Sequence, residues 1–195
     1  MSLRKHEKSL PYSVEIDGKT FKIREKCDYR VAMDAIKILQ DNELNENDKL
    51  NVLMYVFYES PIAWKYRKKA MDALYEIVAK KDNYANDNYQ DNENAKPKTS
   101  DFEYDFDMIV PPINKVLGYD IRNPDINTHW WTFLAALEMI DGECLYARVL
   151  NIRRKRAMGK TLEKSEKEFF AKNRNRVILP QTLTEEDKEF LEMDF

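Results

Sequence analysis

Apolar and polar residues alternate in the segment YSVEIDGKTFKI, residues 12–23. A period of two is typical of a β-strand with one buried face. Asp17 and Gly18 at the centre predict a two-residue type I′ turn, because both central positions of that turn need a positive φ. The resulting register pairs Val14 with Phe21 and places these apolar side chains on one face: Tyr12, Val14, Ile16, Phe21 and Ile23. Since an isolated hairpin is marginally stable, we expect this face to pack on helices.

Helical periodicity replaces the alternation from Asp28 onward and predicts three helices before residue 80. The first begins at Asp28 or Tyr29 and stops at QDNELNEND. The second runs from about residue 48 to residue 58, and the third begins at Pro61, since proline suits the first position of a helix. The positions expected to be buried in these helices are Val31, Ala35, Ile38, Leu39, Leu50, Leu53, Met54, Phe57, Trp64, Met71, Leu74, Ile77 and Val78.

A proline pair interrupts the next helical pattern, DFEYDFDMIVPPINKVLGYDI. The acidic residues at its start suit a helix N-terminus. Pro111 and Pro112 are expected to kink or split this helix, because proline lacks the N–H and clashes with the preceding turn. Gly118 is expected to end it as a C-cap.

Three further helices are predicted in the C-terminal part of the chain. Residues 128–140 are apolar nearly all round, which indicates a buried helix capped by Thr128 or Asn127. An amphipathic helix is expected at residues 143–157. The last helix, TLEKSEKEFFAKNRNR, has three apolar anchors: Leu162, Phe169 and Phe170. We expect the core of the C-terminal lobe to centre on Trp130, Phe133, Leu134 and Leu137.

These elements predict a mainly α protein, helical with a small N-terminal β-hairpin. We expect an N-terminal lobe of the hairpin and three helices at residues 1–80, and a C-terminal helical lobe at residues 101–177. Residues 81–100 are polar, rich in Asn and Asp and without a periodic apolar face, so they are interpreted as a linker or exposed loop. Residues 178–195 are expected to form a tail that could hold a short helix.

Composition narrows the class of protein further. Charged residues make up 34% of the 195 residues, which suits a helical protein with a modest core and a heavily solvated surface. Four glycines are too few for a Rossmann fold or a phosphate-binding glycine loop. The two cysteines are far apart, no apolar run approaches the length of a membrane span, and the N-terminus has no secretory signal pattern. We therefore expect a soluble cytoplasmic protein with reduced cysteines.

His129 is the first candidate for chemistry, because two tryptophans follow it directly. A metal site would need partners at ligand spacing, and neither His6 nor the cysteines provide them. A nucleophilic Cys144 would need a base within reach, and we interpret Cys144 as a small core residue instead. His129 is interpreted as a packing or capping residue at a helix start. We therefore assign no catalytic, cofactor-binding or metal-binding residue, and we expect no enzyme activity.

Charge is distributed unevenly along the chain. The whole chain carries −3, whereas residues 82–107 carry −6 and residues 148–176 carry +8. The acidic residues lack the glycine and the spacing of a calcium loop, so they are interpreted as a solvated face complementary to the basic segment, within one chain or between copies. The basic segment has three interpretations: a solvated helix face, a nucleic-acid-binding surface, or a docking surface for an acidic protein. The candidate partner-binding residues are Arg148, Arg153, Arg154, Lys155 and Arg156.

The chain resembles a known family in the order of its motifs. LPYSVEIDGKTFKI is followed by DFEYDFDMIVPPINKVLGYDI, then by THWWTF and by IRRKRAMGKTLEKSEKEFFAKNR. This order resembles the tailed-phage family named after gene product fifteen, whose members occur in siphophages and prophages near the tape-measure gene. The resemblance covers roughly residues 10–175 and is most specific from 101 to 175. The proline pair departs from the smoother helix expected across the family.

By gene-order analogy, the resemblance implies a non-enzymatic tail assembly chaperone that binds the phage tape-measure protein, with the major tail protein as a further candidate partner. It implies a protein of the host cytoplasm that is absent from the mature virion, needs no cofactor, has no membrane partner and could form a homo-oligomer. Two alternatives remain open: a nucleic-acid-binding phage accessory protein, and a structural tail or head–tail joining component. Presence in purified virions would separate the second alternative from a chaperone.

Overall fold

The computed structural model describes residues 10–79 and 98–180 and shows a mainly α protein with an N-terminal β-hairpin, as predicted. The strands are β1 (Ser13–Ile16) and β2 (Lys19–Lys22). The helices are α1 (Tyr29–Gln40), α2 (Glu46–Phe57), α3 (Trp64–Ala79), α4 (Phe106–Leu117), α5 (Trp130–Glu138), α6 (Leu145–Ala157), α7 (Lys164–Lys172) and α8 (Arg174–Val177). Most of the predicted linker at 81–100 and most of the predicted tail at 178–195 lie outside the described residues.

The chain divides into two compact units. Unit 1 comprises Met1–Ala85 and Ile121–Ala135, and unit 2 comprises Asn86–Asp120 and Ala136–Phe195. The sequence placed all of residues 101–177 in one C-terminal lobe, whereas the structure assigns residues 121–135 to unit 1. Long-range backbone and side-chain hydrogen bonds to the N-terminal part explain this difference, and periodicity cannot show them.

The hairpin has the predicted register. Val14 pairs with Phe21 and Ile16 pairs with Lys19 in an antiparallel ladder. Asp17 and Gly18 have φ of 50° and 73°, as a type I′ turn requires. Ile16 is buried and Val14 and Phe21 are half-buried, so the apolar face is turned towards the interior of unit 1.

The first helices of unit 1 begin close to the predicted positions. Asp28 caps α1 by accepting a hydrogen bond from the Arg30 N–H, and Asn45 caps α2 by accepting one from the Asp48 N–H. The third helix differs from the prediction, because α3 begins at Trp64 rather than at Pro61.

Trp64 was expected in the core, but 72% of it is exposed. It lies at the first position of α3, where the guanidinium of Arg67 stacks on its ring. The buried face of α3 is formed instead by Tyr66, Ala70, Leu74, Ile77 and Val78.

A left-handed turn precedes α1. Glu25, Lys26 and Cys27 have φ of 47°, 54° and 60°, a conformation that costs an L-residue about 1–2 kcal/mol each. The residues of 121–130 hold this turn: the Trp130 N–H donates to the Cys27 carbonyl at 2.8 Å, and the amide of Asn127 donates to the Glu25 carbonyl at 2.5 Å. Tertiary hydrogen bonds thus stabilise a backbone conformation that local sequence disfavours.

The core of unit 1 includes two aromatic residues that the sequence placed in the C-terminal lobe. Trp130 stacks on Phe133, and Phe133 stacks on Tyr29 with ring centres 5.0 Å apart. The indole N–H of Trp130 donates to the Val78 carbonyl at 3.0 Å. Trp130, Phe133 and Leu134 are therefore core residues of unit 1, whereas Leu137 falls in unit 2 and is half-buried.

In unit 2, the proline pair lies inside a continuous helix. Pro111 and Pro112 occupy the middle of α4 and do not split it, so of the expected kink or split, the split is wrong. Gly118 ends α4 with φ of 78°, and its N–H donates to the Asn114 carbonyl, as predicted. The buried side chains of α4 are Met108, Ile109, Val110 and Ile113.

The remaining core of unit 2 comes from α6, α8 and the residues directly after α8. The buried apolar side chains are Tyr146, Val149, Ile152, Val177, Ile178 and Leu179. Ile178 and Leu179 belong to the region predicted as a tail, so the packed structure continues past residue 177.

Candidate partner-binding surface

Helix α6 carries all five predicted partner-binding residues. Cys144 precedes the helix, and its sulfur accepts a hydrogen bond from the Ala147 N–H at 3.4 Å. Cys144 is half-buried, so it serves as a helix cap rather than as the core residue expected from sequence. The buried face of α6 is formed by Tyr146, Val149 and Ile152. Most of the cationic side chains lie on the remaining surface of the helix.

Arg153 is the exception, because it is buried in unit 2. Its guanidinium donates to both carboxylate oxygens of Asp105, at 2.7 and 2.8 Å. It also donates to the carbonyls of Val177, Arg176 and Thr99, at 2.7, 2.5 and 3.3 Å. All five N–H donors of Arg153 are used inside the unit. Arg153 is therefore a structural residue and not the partner-binding residue that the sequence predicted.

Asp105 was interpreted from sequence as part of a solvated acidic face, and this too is corrected. Asp105 is fully buried, and it also accepts a hydrogen bond from the Asp101 N–H. A buried carboxylate needs a paired cation, since an isolated charge is costly to desolvate. One contact between the acidic and basic segments thus forms within the chain, in the interior of unit 2.

Two arginines of α6 stack on phenylalanine rings of α7. The guanidinium of Arg148 lies 4.1 Å from the ring centre of Phe169, and that of Arg156 lies 4.8 Å from the ring centre of Phe170. Both arginines are exposed, and both rings are half-buried. Cation–π contacts at exposed positions contribute about 0.5–1 kcal/mol each.

Lys155 forms an ion pair with Glu166 of α7. The Nζ–Oε1 distance is 2.5 Å, and the same oxygen accepts a hydrogen bond from the Asn151 amide at 3.2 Å. The hydrogen bond with Glu166 raises the pKa of Lys155, and the hydrogen bond with Lys155 lowers the pKa of Glu166. Both groups are therefore charged at neutral pH.

Arg154 is exposed, and within the described residues its side chain makes no hydrogen bond or ion pair. The surface of α6 therefore combines one cation open to solvent with three cations that contact α7. We call the side chains of Arg148, Arg154, Lys155 and Arg156 the basic face of α6.

Helix α7 contacts this face through the side chains of Glu166, Phe169 and Phe170, and none of its residues is fully buried. Glu166, the third residue of α7, accepts a hydrogen bond from the N–H of the N-cap residue Glu163 at 3.0 Å, in a capping-box arrangement. The sequence identified Phe169 and Phe170 as apolar anchors but not as partners of the arginines. The acidic and aromatic residues of EKEFF, residues 166–170, were the available signal, but only the structure shows which cations they contact.

His129 lies in unit 1, at the start of α5, as the sequence indicated. It is 5% exposed, and its Nδ1 accepts a hydrogen bond from the Trp131 N–H at 3.0 Å. Its ring makes edge contacts with Tyr12 and Trp131. Of the two predicted caps, Asn127 donates from its side chain to the Glu25 carbonyl. The backbone N–H of Thr128 donates to the Asp28 carboxylate. Burial lowers the pKa of His129, which keeps the ring neutral at neutral pH.

Unit 1 also has two exposed aromatic side chains in contact with arginines, which the sequence did not predict. Tyr55 is 77% exposed and lies under the guanidinium of Arg24, while Trp64 lies under Arg67. The two arginines also donate to backbone carbonyls, Arg24 to those of Tyr55 and Tyr58 and Arg67 to that of Ile62, so their positions are fixed. Of the two aromatic residues, only Trp64 was predicted as a core position; Tyr55 had no predicted role.

The structure describes residues 10–79 and 98–180, and these ranges also bear on metal binding and membrane insertion. No group of three or more His, Cys, Asp or Glu side chains in these ranges could hold a metal ion. No helix there has both the length and the apolar composition needed to cross a membrane.

Comparison with known proteins identifies a family match. The family model described as Bacteriophage Gp15 protein matches residues 7–179, which includes nearly all of the described residues. No curated protein and no solved structure matches the chain.

Proposed function

Because the chain belongs to the bacteriophage Gp15 protein family, we propose that it is a non-enzymatic tail assembly chaperone. It binds the phage tape-measure protein, keeps it soluble and helps tail-tube assembly. It acts in the cytoplasm of the infected or lysogenic host and is absent from the mature virion. The observation that carries the proposal is the basic face of α6 in a phage protein whose whole chain is acidic.

The geometry supports a docking role for the basic face. Its four cations lie on the outside of a helix whose other side is anchored in the core of unit 2. Surface charges of one sign accelerate association with a partner of the opposite sign and fix its orientation. We propose that an acidic stretch of the tape-measure protein meets this surface.

Charge reversal tests the proposal. The variant with Arg148, Arg154, Lys155 and Arg156 changed to Glu is expected to lose most co-purification of the tape-measure protein. Arg154→Glu alone, which leaves the contacts with α7 in place, is expected to weaken binding about three- to tenfold. Arg153 is left unchanged, because it is buried.

The matched control reverses the same number of exposed lysines elsewhere: Lys22, Lys65, Lys68 and Lys115. It has the same net charge and is expected to bind normally. Wild-type binding is expected to weaken as salt rises from about 50 to 500 mM, since the charges are exposed. Equal binding of both variants, or no dependence on salt, would show that the basic face is not the docking surface. Retention of DNA with a steep salt dependence would favour the nucleic-acid alternative.

A further inference from the structure

The geometry points to α7 as an internal occupant of the basic face, one that the partner must displace. This inference rests on the proposed function, because it concerns the same surface. It also specifies the partner: a helical segment that presents a carboxylate to Lys155 and aromatic rings to Arg148 and Arg156. The chemistry of α7 shows what the basic face binds.

Three contacts define this chemistry. The Glu166 carboxylate meets Lys155 and Asn151, and the rings of Phe169 and Phe170 meet Arg148 and Arg156. The three contacting residues of α7 follow an i, i+3, i+4 spacing, so they lie on one side of the helix. An incoming helix with the same spacing of one acidic and two aromatic side chains would make the same contacts.

The contacts that hold α7 on α6 are individually weak. None of its residues is fully buried, and its largest apolar side chains, Phe169 and Phe170, are only half-buried. An exposed ion pair or cation–π contact changes an equilibrium by a factor of about two to five. A partner helix with similar contacts and a larger apolar surface could therefore replace α7.

Breaks in the helical backbone at both ends of α7 allow it to move as a unit. Residues 160–163 before it have no regular structure, and Asn173 after it has φ of −128° and ψ of 27°, which separates α7 from α8. The residues after this break are anchored independently, since Val177, Ile178 and Leu179 are buried. Displacement of α7 therefore leaves the core of unit 2 in place.

The need to displace α7 would also lower the apparent affinity of the basic face for the partner. A protein whose binding-competent form is only partly populated binds its partner more weakly by that fraction. While α7 occupies the basic face, three of its four cations are already in contact. Weakening the contact of α7 should therefore strengthen partner binding, which is the opposite of what loss of a partner contact would do.

The test compares Glu166→Gln with Glu168→Gln in the full chain. Glutamine can still accept the hydrogen bond from the Glu163 N–H in the capping box, but it cannot pair with Lys155. Glu168 is exposed on the same helix, so its variant makes the same change in net charge. Glu166→Gln is expected to bind the tape-measure protein about two- to fivefold more tightly than Glu168→Gln. Phe169→Leu is expected to act in the same direction.

Hydrogen exchange provides the second measurement. Amides of residues 164–172 should exchange faster in Glu166→Gln than in Glu168→Gln, while those of residues 146–157 stay unchanged. Unchanged exchange of α7 would show that Lys155–Glu166 does not hold the helix, and the inference would fall. Weaker partner binding by Glu166→Gln or Phe169→Leu would equally overturn it, because α7 would then be part of the docking surface.

A synthetic peptide of residues 160–173 separates this inference from the proposed function. Titrated into full-length Glu166→Gln, it should shift the NMR signals of Arg148, Lys155 and Arg156 more than in wild type. If the peptide binds in this way and the tape-measure protein does not bind at all, the basic face accepts such a helix and the chaperone assignment fails. If the tape-measure protein binds but the peptide shifts no signal of α6, the role of α7 as an occupant fails alone.

Discussion

Arg153 shows how one residue of a basic run can have a structural role. Its neighbours Arg154 and Lys155 lie at the surface, whereas Arg153 faces the interior and pairs with Asp105. A buried charge that loses its partner is costly, so removing one member of such a pair destabilises a protein by about 3–5 kcal/mol.

Arg153→Met is therefore expected to lower the free energy of unfolding by about 3–5 kcal/mol, measured by urea denaturation. Arg153→Lys should not restore it, because an ammonium cannot make the two parallel hydrogen bonds. Arg154→Met, one residue further on the same helix, is expected to change stability by less than about 0.5 kcal/mol. Equal effects of the two methionine variants would contradict the structural role of Arg153.

His129 gives a pH dependence of stability with a defined sign. Burial lowers the pKa of His129 below the ordinary value. Between these two pKa values the unfolded chain therefore binds more protons than the folded chain. The stability contributed by the neutral His129 is expected to be fully present above about pH 6.5 and to be lost as pH decreases towards the folded pKa. Thermal unfolding of wild type and His129→Asn at pH 7.5 and 5.5 checks this.

Asparagine keeps a hydrogen-bond acceptor for the Trp131 N–H but does not titrate in this range. The melting temperature of wild type should therefore fall more between the two pH values than that of His129→Asn. An equal fall would mean that His129 does not contribute to the pH dependence.

Sequence predicts residue roles well where the determinant is local. The placement of His129 at a helix start followed from its neighbours, and the structure agrees. The burial of Arg153 could not be predicted, because its partner Asp105 is 48 residues away. The same holds for Trp64, whose exposure depends on where α3 begins relative to the rest of unit 1.

At the scale of elements, local sequence determines the hairpin, whereas tertiary contacts determine the left-handed turn before α1. Asp17 and Gly18 determine the hairpin register by their own backbone preferences. The turn at 25–27 adopts positive φ in three consecutive residues other than glycine. Contacts with residues 121–130 override the local preference, so no sequence pattern indicated this turn.

Lys26→Gly is expected to stabilise the protein. Relief of the positive φ contributes about 1–2 kcal/mol, and the added flexibility of the unfolded chain offsets about half of it. The net gain expected in chemical denaturation is about 0.5–1 kcal/mol. Lys22→Gly, in strand β2, should instead destabilise by about 0.5–1 kcal/mol. A loss of stability in Lys26→Gly would mean that the lysine side chain, rather than the backbone, matters at this position.

Helix α4 shows that the low helix propensity of proline does not by itself decide whether a segment is helical. Proline disfavours the interior of a helix, yet Pro111 and Pro112 lie inside one. The buried Met108, Ile109, Val110 and Ile113 flank the pair, so packing of the apolar face maintains the helix through it. Tertiary packing can thus outweigh the local cost, which a sequence pattern does not measure.

At the scale of the whole molecule, the family match spans residues 7–179 and so includes parts of both compact units. The order of motifs along the chain was enough to indicate the family, and the apolar periodicity was enough to indicate the mainly α class. The division into units could not be predicted from the sequence. Ile121–Ala135 belongs to unit 1 because of long-range hydrogen bonds, such as that from the Tyr29 hydroxyl to the Ile121 carbonyl. All five candidate partner-binding residues lie on α6, and the structure places one of them, Arg153, in the interior of unit 2.

Co-expression with the tape-measure protein encoded by the same phage genome tests the central claim most directly. The measurement is the fraction of tape-measure protein that is soluble and co-purifies with this chain. We expect a large increase with wild type, and little increase with the variant in which the four cations of the basic face are reversed. A tape-measure protein that stays insoluble, or that is soluble to the same extent without this chain, would contradict the chaperone function.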